Sequence, residues 1–201
     1  MQKLLTVFTD LIFPPSPESK LIRSTTETAI LSLYQPNIHE NVTYLSCYES
    51  SIIKAAIVEN KFYHNQTAAR LLGVLLQHWI TNNKGHFVFV PIPLSRARLR
   101  NRGHNQIETI LQTTLGKMNC ETTVLQRTVN TTPQSHLPKS KRQKNIKHAF
   151  SCNLQAVNPA WETVVLVDDV VTTGATMKAA RASLAPHLAP HTKLICLAIA
   201  H

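Results

Sequence analysis

The sequence predicts an α/β protein with a central, mainly parallel sheet flanked by helices, and three observations carry this prediction. Hydrophobic residues make up 43% of the 201 residues, which is enough to bury a core and excludes wholesale disorder. Short apolar segments alternate along the chain with segments whose apolar residues recur at helical spacing. Residues 164–167 form a fully apolar, mostly β-branched run, as expected of a strand in the middle of a parallel sheet.

The first 41 residues are predicted to form an N-terminal extension. Residues 4–12 carry apolar side chains at the spacing of a short amphipathic helix, and the proline-rich segment 13–17 separates this helix from the rest of the chain. Residues 18–40 are of mixed polarity, so we predict an irregular conformation there. Residues 42–201 are predicted to form the main domain.

The main domain is expected to alternate strands with helices, which implies right-handed crossover connections. Strands are expected at residues 42–48, 87–90, 123–125, 164–167 and 194–200, and helices at residues 52–57, 66–80, 104–115 and 175–184. Residues 128–150 are basic, polar and without periodicity. A loop of that length is usually functional or disordered.

Charge is concentrated in the middle of the chain. The protein has a net charge of +10, and residues 60–161 hold 14 basic but only 2 acidic residues. A positive field of this kind attracts nucleic acid, phosphorylated metabolites or an acidic membrane surface. The alternative interpretation is a basic face that is merely solvated.

Several classes of protein are excluded or disfavoured by the residues that the sequence lacks. The longest apolar runs are too short to span a bilayer, and the start of the chain does not resemble a signal peptide. The four cysteines stand far apart, which predicts neither a zinc site nor a disulfide framework and suits the cytoplasm. The ten histidines form no metal-binding array, and the five glycines form neither a P-loop nor a dinucleotide-binding pattern.

The segment 164–176 gives the clearest indication of function in the sequence. A buried strand leads into two acids, Asp168 and Asp169, and then into a turn of small residues that opens a helix. Such a turn aims backbone N–H groups and the positive end of a helix dipole at one place, which suits a phosphate. The acids then need neutral partners such as sugar hydroxyls, or a metal. A ribose 5-phosphate satisfies both requirements, whereas an ordinary strand–helix turn with capping acids is the alternative.

This segment resembles the thirteen-residue phosphoribosyl pyrophosphate (PRPP) motif of type I phosphoribosyltransferases at every position. The resemblance implies the fold of those enzymes, with a flexible hood over the ligand. It also implies that the catalytic acids Asp168 and Asp169 hold the ribose hydroxyls. The 5-phosphate would be bound by the adjoining turn, which consists of Thr172, Thr173, Gly174, Ala175 and Thr176.

Two further motifs narrow the resemblance. Residues 90–95 read Val-Pro-Ile-Pro-Leu-Ser and lead to Arg-Gly-His-Asn-Gln at 102–106. Gln134, Arg142, Asn145 and the Ala149–Phe150 pair come later in the chain, in that order. These motifs are similar to those of the ComF family, phosphoribosyltransferase-like proteins tied to DNA uptake in competent bacteria, and the resemblance covers about residues 42–201.

The sequence departs from the ComF pattern at four places, one of which is Ala200-His201, where the family commonly has Ala-Arg. The family usually has a cysteine-rich zinc finger after Phe-Pro-Pro, but Ser16 comes after those residues here and no cysteine precedes Cys47, so we expect no structural zinc. His64 stands where the family has a glycine, which puts the geometry of that loop in doubt. His104 stands where the family has a phenylalanine.

Basic residues provide candidates for binding the diphosphate and DNA. The resemblance implies that the region of Lys61 and a hood formed by residues 128–150 approach the diphosphate of PRPP. The four arginines of residues 96–102 alternate with other residues, so they would share one face if that segment were extended. The diphosphate candidates are Lys61, Arg102, Lys141 and Arg142; the DNA-binding candidates are Arg96, Arg98, Arg100 and Arg102; each could instead be a solvated surface charge.

Three functions remain open from the sequence. The resemblance implies transfer of a phosphoribosyl group from magnesium-bound PRPP to a nucleobase or amine, with release of diphosphate. It is equally compatible with an accessory protein of DNA uptake that binds single-stranded DNA and is partnered by a helicase and a recombination mediator. A regulator that binds PRPP without turnover is the third possibility.

Overall fold

The computed structural model describes residues 14–116, 119–128 and 149–201 and confirms the predicted α/β class. The strands are β1 Asn37–His39, β2 Val42–Ser46, β3 Phe87–Pro91, β4 Leu125–Arg127, β5 Phe150–Cys152, β6 Thr163–Val170 and β7 Lys193–Ala200. The helices are α1 Pro17–Ser24, α2 Glu27–Leu31, α3 Ser51–Tyr63, α4 Gln66–Asn82, α5 Arg96–Arg102, α6 Gln106–Leu115 and α7 Ala175–Leu184. Short 3₁₀ turns lie at Leu154–Ala156 and Ala185–His187.

Five strands form a mixed sheet in the order β1-β2-β7-β6-β3. The pairs β2–β7, β7–β6 and β6–β3 are parallel, and β1 is antiparallel to β2 at one edge. A separate hairpin-like pair joins β4 and β5. Because β6 has a parallel neighbour on both sides, it is an interior strand, as its uninterrupted apolar sequence predicts.

The sheet is buried on both faces by helices. Val165 and Val167 of β6 lie in one apolar cluster, together with residues of α3, α4 and α6. Val164 and Leu166 lie in a second cluster, which α7 and the β4–β5 pair complete. This alternation follows from the two-residue period of a strand, and it holds β6 firmly between two layers.

The prediction of an irregular conformation at residues 18–40 is wrong. Helices α1 and α2 form there because Ser16 and Thr26 accept hydrogen bonds from backbone N–H groups of the first turns. Ile22 and Ile30 are completely buried in the cluster that also contains α3 and α4. The predicted boundary between residues 41 and 42 falls in the turn between the paired strands β1 and β2.

Other boundaries shift by smaller amounts. The strand expected at residues 123–125 is β4, Leu125–Arg127, and the strand expected at 42–48 ends at Ser46. Residues 4–12, for which we predict a helix, lie outside the described residues, as does most of the predicted hood at 128–150. Among the described residues, no helix is long and apolar enough to cross a membrane.

The segment with the four arginines forms helix α5. It is therefore not extended, which was the condition for all four arginines to share one face. Ser95 caps the start of the helix by accepting a hydrogen bond from the Arg98 N–H, and Gly103 ends it in a left-handed conformation. Residues four apart share a face of a helix, so Arg98 lies near Arg102 rather than in one row with all four arginines.

Candidate ligand-binding cavity

A cavity of about 350 Å³ opens at the carboxyl ends of β3 and β6. Its lining includes the loop after β3, residues 92–94, and the last residues of β6. The two strand ends lie side by side because β3 and β6 pair in parallel, and the Ile92 N–H continues the ladder by donating to the Val167 carbonyl. Open α/β sheets bind their ligands at such an edge.

The acids of β6 form one wall of the cavity. Asp169 is only 6% exposed, and its Oδ2 accepts a hydrogen bond of 3.1 Å from Gln106 Nε2 and lies 3.7 Å from Lys61 Nζ. Its Oδ1 accepts from the Val170 N–H at 2.8 Å. Asp168 accepts from the Asp169 N–H at 2.9 Å. Asp169 is therefore held by partners on three elements, whereas Asp168 accepts a hydrogen bond from the backbone of the next residue.

The two acids interact electrostatically. Burial raises the pKa of the Asp168 carboxyl well above its usual range, and the negative charge of Asp169 raises this pKa further. The positive charge of Lys61 acts in the opposite direction. A buried carboxyl group that has lost water is stabilised by a ligand that takes the place of that water.

The turn after β6 supplies the hydroxyl side of the cavity. Thr172 and Thr176 line it, whereas Thr173, Gly174 and Ala175 form the turn without lining it. Gly174 has φ of +64°, which a residue with a side chain rarely adopts. This conformation opens helix α7, whose first N–H groups have no acceptor within the helix. The turn therefore presents donors beside the acids, as the motif predicts.

Cations from three other elements line the cavity, one of them Arg127 at the end of β4. Lys61 comes from the end of α3, and Arg98 and Arg102 come from the side of α5 that faces the acids. Burial lowers the pKa of Arg102, and the charge of Asp169 opposes that shift. Because the pKa of arginine is so high, the guanidinium stays charged. The structure thus brings two predicted DNA-binding candidates to the predicted ribose site.

Of the remaining candidates, the structure describes Arg96 and Arg100. Arg96 and Arg100 are exposed and do not line the cavity. Lys141 and Arg142 fall outside the described residues, so their predicted approach to the diphosphate stays a prediction.

Sequence reasoning did not assign a role to three residues that line the cavity, Tyr48, Gln106 and Arg127. Gln106 ends one of the ComF-like motifs, which was a usable signal for a site residue. Tyr48 lies just after β2, and the pairing of strands brings it to the same sheet edge. Arg127 comes from β4, which lies outside the main sheet, and no local pattern indicated its place.

Two of the departures from the ComF pattern contact each other. The rings of His64 and His104 stack with their centroids 4.0 Å apart and their planes 20° apart. His64 ends α3 in the left-handed conformation, with φ of +51°, that the glycine of the family pattern would adopt easily. His64 therefore has a left-handed conformation, and its imidazole stacks on His104.

In the described part of the chain, the cavity offers a metal ion two carboxylates, those of Asp168 and Asp169. Within residues 14–116, 119–128 and 149–201, no group of three or more His, Cys, Asp or Glu side chains could hold a metal ion. Magnesium usually combines one or two carboxylates with water and substrate phosphates, so the paired acids fit it only together with a phosphorylated ligand. Elemental analysis of the purified protein remains the test of the predicted absence of zinc.

The fold and the cavity define an α/β protein with a polar cavity, lined by acids and cations, at the carboxyl edge of its sheet. No protein-family model matches the chain. The chain is 29% identical over 132 residues to competence protein F of Haemophilus influenzae, covering 64% of this chain and 58% of that protein. It is 31% identical over 120 residues to the DNA utilization protein YhgH of Salmonella typhimurium, covering 56% and 52%.

The YhgH protein of Escherichia coli K12 is 34% identical over 90 residues, which cover 44% of this chain and 38% of that protein. These matches confirm the resemblance to the ComF family that the motifs predict. The chain matches about half the length of these relatives, or less.

Proposed function

We propose that this protein binds PRPP in the cavity and has the architecture of a type I phosphoribosyltransferase. The observation that supports this most directly is the meeting of Asp168, Asp169 and the 172–176 turn with Lys61, Arg98 and Arg102 around one cavity. Acids suit sugar hydroxyls, the helix-opening turn suits a phosphate, and the cations suit a diphosphate. PRPP carries these three groups on one ribose.

In the proposed complex, Asp168 and Asp169 accept hydrogen bonds from the ribose 2′- and 3′-hydroxyls. The N–H groups at the start of α7 and the hydroxyls of Thr172 and Thr176 donate to the 5-phosphate. Lys61, together with the arginines on the cavity side of α5, offsets the charge of the diphosphate. Closure of the predicted hood, residues 128–150, would exclude water from the reacting carbon.

The proposed reaction transfers the phosphoribosyl group to a nitrogen of a nucleobase or another amine. The bond between ribose C1 and the diphosphate oxygen breaks, the diphosphate leaves with the electron pair, and the acceptor nitrogen bonds to C1 and loses a proton. Magnesium bound with PRPP would neutralise part of the charge that the leaving diphosphate gains. The protein's own contribution is to orient the ribose through Asp168 and Asp169.

Calorimetry with PRPP and magnesium tests the binding. We expect the folded Asp168→Ala/Asp169→Ala variant to lose about 100-fold or more in affinity, because each unpaired hydroxyl costs about 1–3 kcal/mol. Glu162→Ala is the matched control, since Glu162 is exposed and precedes the same strand. Unchanged affinity in the folded double variant would refute the assignment. A screen for diphosphate release over nucleobases separates a transferase from a regulator that binds without turnover.

A second candidate function is binding of single-stranded DNA as an accessory protein of DNA uptake. Phe62 and Tyr63 are exposed by 61% and 66% at the end of α3. The Arg102 guanidinium lies 5.4 Å and Lys61 Nζ 5.8 Å from the centre of the Phe62 ring. Exposed aromatic rings beside cations are the surface on which single strands bind by stacking and charge. The relatives named for competence and DNA utilization favour the same function.

A filter-binding salt titration tests DNA binding, because each neutralised phosphate contributes about 0.7 to the slope of log K against log salt. We expect Arg96→Ala/Arg100→Ala to lower this slope without altering PRPP binding, since neither residue lines the cavity. Phe62→Ala/Tyr63→Ala should weaken binding at every salt concentration with little change in slope. No retention of DNA by the wild type at low salt would contradict this function.

In either function we propose that the protein acts in the cytoplasm. A helicase and a recombination mediator are the partners that the family resemblance implies for the DNA-binding function. Competition between PRPP and DNA in the filter assay would indicate that both anions use the cavity side of α5.

A further inference from the structure

We propose that Gln106 is a positioning residue that sets the carboxylate of Asp169 and the guanidinium of Arg102 at the right separation for one ligand. The inference rests on the proposed function, because that ligand is taken to be PRPP. Gln106 is the first residue of α6 and is only 4% exposed. It lines the cavity beside the groups that would contact the ribose and the diphosphate.

The side-chain amide of Gln106 joins the two walls of the cavity. Its Nε2 donates to Asp169 Oδ2 at 3.1 Å, and its Oε1 accepts from Arg102 Nη1 at 3.1 Å. The acid on β6 and the cation on α5 are therefore linked through one planar group. A movement of either wall strains one of these two hydrogen bonds.

Only an amide matches both neighbours. The side chain must donate to a carboxylate at one end and accept from a guanidinium at the other, and glutamine has one donor group and one acceptor group. A glutamate at position 106 would still accept from Arg102 but would place a carboxylate against Asp169. Like charges at that distance repel strongly in a buried site.

The backbone around Gln106 is braced against α3. Asn60, 1% exposed, donates from Nδ2 to the Gln106 carbonyl at 3.0 Å. The ring of His104 contacts the Asn60 carbonyl through Nε2 at 2.8 Å and the Arg102 carbonyl through Nδ1 at 3.0 Å. Lys61 is the residue directly after Asn60. The same set of hydrogen bonds therefore also fixes the helix end that carries Lys61, another cation of the cavity.

The first test measures PRPP affinity by calorimetry in the Gln106→Glu variant. Gln66→Glu is the matched control, because Gln66 is also the first residue of a helix but is exposed and lies outside the cavity. We expect Gln106→Glu to lose at least about 10-fold in affinity near pH 8 and to recover as the pH falls and one carboxyl is protonated. The control should change by less than about twofold. A loss that is equal at all pH values would reduce Gln106 to a structural role.

The second test does not need a ligand. We expect Gln106→Glu to lower Tm by about 3–6 °C relative to Gln66→Glu, through the clash of two acids. The double variant Gln106→Glu/Asp169→Asn restores a donor facing an acceptor and should recover most of that loss. Additive losses in the double variant would overturn the proposed bond between Gln106 and Asp169. If the wild type does not bind PRPP, the proposed function fails, and this thermal cycle still decides whether Gln106 joins the two walls.

Discussion

The two walls of the cavity differ in how they are built. The acidic wall belongs to one continuous segment, in which strand β6, the turn and helix α7 are consecutive. The cationic wall is assembled from the end of α3, one side of α5 and Arg127 of β4. Of these, α3 and α5 are more than thirty residues apart in the chain. A site that is continuous in the chain can be recognised from its sequence, whereas an assembled wall depends on how helices pack.

The walls also differ in their contact with water. Asp169 is 6% exposed, while the side chain of Lys61 is 28% exposed. Desolvation therefore dominates the acidic wall and raises the pKa of Asp168. In the cationic wall, the Lys61 side chain keeps more solvent, whereas burial lowers the pKa of Arg102.

The largest effect is expected when the arginines of α5 that line the cavity are substituted separately from those that do not. We expect Arg98→Ala/Arg102→Ala to weaken PRPP binding by about 100-fold, since hydrogen bonds to charged groups are worth about 1.5–3 kcal/mol each. Arg96→Ala/Arg100→Ala removes the same charge from the exposed side and should change the affinity by less than about threefold. Equal losses in the two variants, measured by calorimetry, would show that net charge rather than helix geometry controls binding.

A substitution in the turn tests how tightly the acidic wall is built. Gly174→Ala adds a methyl group at a residue with φ of +64°, and that group would lie 2.9 Å from the Cβ of Glu40. We expect a loss of about 1–3 kcal/mol in the free energy of unfolding, measured by urea denaturation. Gly103→Ala is the control for φ alone, because no atom lies within 4 Å of the added group. If both variants lose the same stability, contact with Glu40 contributes nothing.

Because the pKa of Asp168 is raised in the folded protein, its ionised carboxyl lowers the free energy of unfolding when no ligand is bound. A carboxyl whose pKa is higher in the folded than in the unfolded state loses stability as pH rises from about 3.9 toward the folded value. Asp168→Asn has no proton to lose, so we expect it to be more stable than wild type by about 1 kcal/mol or more at pH 8. The difference should vanish near pH 4 in thermal denaturation scans. A stability difference that does not change with pH would contradict the desolvation argument.

The smallest expected effect concerns the helix end that supports Lys61. His64→Gly removes a side chain from a left-handed residue, which gains stability, but it also removes the stack on His104. These contributions oppose each other, so we expect the free energy of unfolding to change by less than about 1 kcal/mol. His64→Ala loses the stack and keeps the strain, so it should be the less stable variant. Equal stability of the two would show that the conformation of residue 64 is not strained.

The sequence predicted the α/β class, the mainly parallel sheet and the acidic wall. It did so because the apolar run of β6, the acids and the turn obey local rules of burial, charge and backbone conformation within thirteen residues. The sequence did not predict helices α1 and α2, because each of them buries few apolar residues. Their capping residues, Ser16 and Thr26, become informative only once Ile22 and Ile30 have a core to enter.

Only the tertiary structure decided which cations face the acids. The sequence shows four arginines in alternation, but Ser95 and Gly103 cap this segment as a helix and divide them between two sides. The sequence shows Gln106 within a motif, but its role depends on the hydrogen bonds that join the start of α6 to β6 and α3. Neighbouring residues determine local chemistry. Which distant side chains meet depends on the orientation and burial of the helices, and these are determined by the packing of the whole core.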